Sequence, residues 1–62
     1  MYMTGKEVIK KLEAAGFVLK SVKGSHHKMS KGNLSVPVPV HGKKDLGKGL
    51  LKEISKQSGV KL

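Results

Sequence analysis

Lys23-Gly24-Ser25-His26-His27-Lys28-Met29 is the stretch on which the fold of this chain turns. Gly24-Ser25 reads as a two-residue hairpin connection, and a hairpin there fixes what stands on either side. Upstream, Phe17 to Lys23 carries Phe, Val, Leu and Val and reads as a strand. Downstream, His26 to Lys31 is the returning strand, with Met29 as its only apolar residue. Lys31-Gly32-Asn33 is a second turn signal. Leu34-Ser35-Val36-Pro37-Val38-Pro39-Val40 then alternates cleanly, with its aliphatic side chains on one face. Proline cannot donate to a ladder, so this third strand is expected at a sheet edge or with its proline nitrogens turned to solvent.

A helix flanks the meander on each side. Thr4-Gly5-Lys6-Glu7 fits a capping box, in which a threonine oxygen takes an orphan amide and a glutamate three residues on reaches back. Val8, Ile9, Leu12 and Ala15 follow at helical spacing, and Gly16-Phe17 is a helix stop with its hydrophobic contact. The first helix is expected over residues 4–15. His41-Gly42-Lys43-Lys44-Asp45 reads as a basic loop. Leu46, Leu50, Leu51 and Ile54 form a second apolar stripe, which Ser58-Gly59-Val60 closes. Gly47 and Gly49 open that second helix, where glycine costs little and lets backbone come close to something. Val8, Leu12, Leu50 and Ile54 are expected in the core. Both helices laid on one side of the sheet give an α+β two-layer sandwich, α-β-β-β-α, as a single domain over residues 1–62. The lysines would then occupy the opposite sheet face and the loops.

The composition narrows the chemistry. The chain has 62 residues, 37% of them hydrophobic, with one Phe, one Tyr and no Trp. A core built from Val, Leu and Ile at this length is thin and leaves no room for a buried metabolite pocket. Activity therefore has to use an open surface or groove, which argues against small-molecule chemistry and towards a macromolecular partner. Thirteen basic residues, all lysines, stand against four acidic ones, for a formal charge of +9. That excess points to a polyanion held by point-charge contacts to phosphates rather than by bidentate forks on guanine edges. There is no cysteine, which excludes a disulfide framework and a thiolate zinc site. No membrane span or signal-peptide pattern is present, and a cytoplasmic location is expected.

Neighbouring strand residues point to opposite faces, so His26 and His27 cannot jointly hold one ion in a regular strand. No metal and no cofactor is expected. Ser25 beside His26 lacks the geometry and the oxyanion pattern of a nucleophilic triad. Metal-free RNA cleavage fits better. It needs a base for the ribose 2′-hydroxyl, an acid for the leaving 5′-oxygen, and cations around the phosphate. A histidine serves either proton step near neutrality, and lysines supply the cations. The plainer reading of the pair is two solvated residues on the hairpin of a non-catalytic RNA-binding module.

Beyond these chemical readings, the chain resembles the HicA toxin family, the small RNA-cleaving partner in HicAB toxin–antitoxin pairs. The matching pieces are Ala14-Ala15-Gly16-Phe17, Lys23-Gly24-Ser25-His26-His27 and Val38-Pro39-Val40-His41, followed by Lys44-Asp45-Leu46 and Gly49 to Val60. The resemblance implies a double-stranded-RNA-binding-domain-like fold and an mRNA interferase whose catalytic residue is His27. Lys23, Gly24, Ser25, His26 and Lys28 would contact the RNA, and a HicB-type antitoxin would cover the His27 face. Leu50 stands where the family often has Thr, and the hairpin after Met29 lacks the arginine and aromatic residues of many members. One geometric condition accompanies the assignment. Alternation puts His27 on the face of Met29, so an accessible His27 requires an exposed Met29, or a bulge or strand start near His27 that resets the alternation.

Overall fold

Thr4 opens the first helix as the sequence predicts. Its Oγ1 accepts from the Glu7 amide at 3.3 Å, while Glu7 Oε1 accepts from the Thr4 amide at 3.1 Å. Two orphan N–H groups are satisfied, and helix α1 runs Gly5–Ala14. It ends in a Schellman motif. The Phe17 amide donates to Leu12 O at 2.9 Å and the Gly16 amide to Glu13 O at 3.0 Å, with Gly16 at φ 101°. The accompanying contact is supplied by Leu12 and Phe17, both buried.

The computed structural model describes residues 3–62; Met1 and Tyr2, the first two positions of the expected domain, lie outside the described residues. In chain order the elements are β1 (Met3–Thr4), α1, β2 (Val18–Lys23), β3 (His26–Lys31), β4 (Leu34–Pro39), β5 (Asp45–Leu46) and α2 (Lys48–Ser58). The three long strands form an antiparallel sheet in the order β2-β3-β4. Gly24-Ser25 and Gly32-Asn33 join them, with Gly24 at φ 60° and Gly32 at φ 59°. Positive φ is confined to glycine among the described residues, so both connections are type II′ turns. Hairpin geometry thus accounts for Gly24 without invoking a ligand.

The helices share one side of the sheet and pack principally against β4. Between the layers lie Val8, Leu12, Phe17, Met29, Val36, Val38, Leu46, Leu51 and Ile54. This is the α+β, double-stranded-RNA-binding-domain-like arrangement expected from the sequence. Gly5 lets the layers close. A Cβ there would overlap the Pro39 carbonyl oxygen and lie 2.9 Å from Val40 Cγ2. The N-terminus of α1 therefore rests directly on the end of β4. Among the described residues no helix is long and apolar enough to cross a membrane.

Several expectations need correction. Leu50 is not core: it is 38% exposed, because α2 buries the line Leu51, Ile54 and Ser58 and leaves Leu50 at its shoulder. Leu34, at the start of β4, is also exposed, whereas Val36 and Val38 are buried. The basic loop ends early, since Asp45 and Leu46 form β5 against Thr4 and Met3 in a separate two-stranded sheet. Nothing lies within 4 Å of a Cβ built on Gly47 or Gly49, so neither glycine serves a close approach within the chain. The C-terminus is tied down more fully than a helix stop alone provides. Ser55 Oγ donates to Val60 O at 2.7 Å and accepts from the Leu62 amide at 3.4 Å.

Candidate nucleic-acid interface

The hairpin residues sort themselves by register. Lys23 pairs with His26, Ser21 with Lys28 and Val22 with His27 across β2 and β3. Directly opposed residues project from the same face. Lys23, His26 and Lys28 therefore share the open face of the sheet, beside Pro37 and Pro39, their partners on β4. All three cationic or titratable side chains there are exposed. His27 projects the other way, with Val22 and Val38, onto the helix-covered face. Of the six sequence-predicted site residues, three lie together on the open face and His27 lies behind them. Gly24 and Ser25 form the turn that joins the two sides.

Of the routes anticipated for exposing His27, only the strand start is present: β3 begins at His26, but the alternation is not reset and His27 stays on the face of Met29. Met29 is fully buried, and the pairing of β3 with β4 is continuous from His26 to Lys31. The irregularity sits instead on β2, where the register slips between Leu19 and Ser21 and leaves Lys20 unpaired. His27 is half-buried rather than covered, because it stands at the turn end of the sheet. The accessibility that the assignment requires of His27 is thus met only in part.

One shared atom links the parts of the site. His27 Nδ1 lies 3.4 Å from Ser25 O, and the Val40 amide donates to the same oxygen at 2.7 Å. The Ser25 carbonyl thus links the histidine to the end of β4. A proton on Nδ1 directed at that carbonyl leaves Nε2 as the acceptor nitrogen, the form a general base requires. His41 follows Val40 immediately and is exposed. Its carbonyl accepts from the Lys44 amide at 3.0 Å in a turn with Gly42 at φ 58°. The bond from Val40, the residue before His41, to Ser25 in the hairpin turn was not legible in the sequence. The Val-Pro-Val-Pro-Val alternation was the signal, since it sets which β4 amides face β3. Among the described residues no three of His, Cys, Asp and Glu cluster in a metal-binding arrangement.

Comparison with known proteins shows the family. The chain is 46% identical over 50 residues to a Pseudomonas fluorescens protein named "Probable mRNA interferase HicA", an alignment covering 81% of this chain and 83% of that relative. The family described as the HicA toxin of bacterial toxin–antitoxin systems matches residues 5–60, from the first residue of α1 to the tail that Ser55 holds. The helix–meander–helix chain with its Gly-Ser-His-His hairpin belongs to the HicA toxin family.

Proposed function

We propose that this protein is the toxin of a toxin–antitoxin pair, an endoribonuclease that cleaves mRNA without a metal ion, with His27 as its acid–base residue. The observation that carries the proposal is the contact of His27 Nδ1 with Ser25 O at 3.4 Å, which leaves Nε2 to exchange the substrate proton. The named activity of the Pseudomonas fluorescens relative supports it. Nε2 takes the proton of a ribose 2′-hydroxyl as that oxygen attacks the adjacent phosphorus. The bond to the 5′-oxygen breaks, a second group protonates the leaving oxygen, and a 2′,3′-cyclic phosphate remains. Lys23, His26 and Lys28 hold neighbouring phosphates on the open face, with the Gly24-Ser25 turn carrying the strand past the sheet end. His41, exposed and one residue from the Val40–Ser25 bond, is the candidate for the second proton step. In this reading the toxin works in the cytoplasm and is held inactive by a HicB-type antitoxin.

The test is cleavage of RNA by the purified chain in the presence of EDTA. His27→Ala should lose cleavage by two or more orders of magnitude while keeping its fold, as expected for removal of an acid–base group (~10²–10⁴-fold). Full activity in His27→Ala would refute the assignment. One observation favours a second reading: His27 and the lysine cluster sit on opposite faces, as a non-catalytic RNA-binding module permits. That module would bind RNA in a salt-dependent way, yield no product and be indifferent to His27.

A further inference from the structure

The two edges of the sheet differ in chemistry. The Val40 amide points at Ser25, so in the alternating ladder the amides of Val36 and Val38 also face β3. Pro37 and Pro39 then fall at the outward positions, where they have no N–H to offer. That edge is closed. On β2 the opposite holds. Lys23 and His26 flank a two-residue turn and form its hydrogen-bonded pair, so Val22, opposite His27, turns its N–H and C=O outward. Every residue of β2 is exposed. Val22 is 54% exposed and Leu19 48%, and the unpaired Lys20 between them keeps both on the helix-side face at a spacing of three. The helices pack against β4 and leave these two side chains uncovered.

We propose that the β2 edge is a docking site for an acidic, extended segment of a partner protein, which joins the sheet as a fourth strand. Main-chain bonds to Val22 would hold it, and apolar side chains at alternate positions would cover Leu19 and Val22. Charge selects the occupant. Lys20 and Lys23 flank the open backbone on a chain of net charge +9, so a second copy meets like charge where an acidic strand is attracted. Since Val22 is the cross-strand neighbour of His27, the added strand would lie one side chain from that histidine. Docking stands on the edge alone; its consequence, inhibition, and the partner's identity as antitoxin rest on the toxin reading above.

The probe is a blocked peptide of about eight residues alternating glutamate and valine, titrated into the whole chain and followed by amide NMR and hydrogen exchange. The Val22 amide should shift and gain protection, and a lysine–valine peptide should leave it unchanged. Val22→Pro removes the outward donor as Pro37 and Pro39 do on the other edge, and should abolish binding. Lys20→Glu, at an exposed and unpaired position, should weaken binding about fivefold (~1 kcal/mol) and stays informative if the proline variant does not fold. The proposal is overturned by an unperturbed Val22 at saturating peptide, or by binding that Lys20→Glu leaves intact. Shifts confined to the Lys23, His26 and Lys28 face overturn it too, as does Val22 protection arising only from self-association. RNA cleavage measured with peptide bound reports separately on the toxin reading: docking without inhibition removes that consequence and leaves the edge assigned.

Discussion

At the scale of single residues, a glycine and a lysine each have a definable structural task. Gly5 is buried at the start of α1, where any side chain would meet the Pro39 carbonyl and Val40. Backbone cannot yield as a flexible side chain does. Gly5→Ala should therefore destabilise the chain by about 1–3 kcal/mol, the range for overpacking, as read from the urea midpoint at unchanged m-value. Loss should also reach the functional end, because β4 and the hairpin share the Ser25 carbonyl. Lys31 works at the other end. Its Nζ donates to Ala15 O at 2.6 Å and stands 5.9 Å from the Phe17 ring centroid. A cation there satisfies a C-terminal helix carbonyl and opposes the helix dipole. Lys31→Met keeps the stem and removes the charge, and should cost about 1 kcal/mol by the same measurement.

At the scale of elements, the two helices begin differently. In α1 the Thr4 amide and hydroxyl both donate to Glu7, and these bonds hold its carboxyl below the usual value, with Lys10 and Lys11 adding to the effect. A carboxylate whose pKa is depressed in the folded state contributes stability above its unfolded pKa and loses it as pH falls through the folded one. Glu7→Gln should thus flatten the acid limb of the stability–pH curve and leave the two proteins alike at low pH; parallel acid limbs would contradict the assigned cap. Helix α2 has Gly47 as N-cap and no side-chain bond to its first amides. Gly47 already has an extended φ of −66° and open space around a Cβ. Gly47→Asp should accordingly stabilise by about 0.5 kcal/mol through a cap and the helix dipole. Local chemistry of this kind was legible in the sequence: the capping box, the Gly16 stop and both turns each depend on residues within a few positions. The two-residue strands β1 and β5 were not, because so short a pairing has no periodicity to read. The slip at Lys20 was not legible either, because the three-residue spacing of Leu19 and Val22 breaks strand alternation but is also ordinary helical spacing.

At the scale of the whole molecule, a thin core and a large charge excess are arranged so that one sheet face remains free for a polyanion. The fold followed from element order and apolar stripes, but the division of the hairpin between two faces depended on register, which only the paired strands fix. Lys23, His26 and Lys28 face outward, while half-buried His27 lies on the helix-covered face, and in the proposed reading that division separates affinity from chemistry. If phosphates sit on the open face, each neutralised phosphate releases counterion, and binding to single-stranded RNA should weaken with log salt at a slope of about 0.7 per contact. Lys23→Gln with Lys28→Gln should reduce that slope by about 1.4 and weaken binding at all sequences alike. Lys52→Gln with Lys56→Gln changes net charge equally on the exposed surface of α2, across the molecule from that face. It should leave the slope unchanged. Equal losses from the two pairs would mean that the +9 charge attracts RNA as a diffuse field, and that the register of the hairpin does not choose where the strand lies.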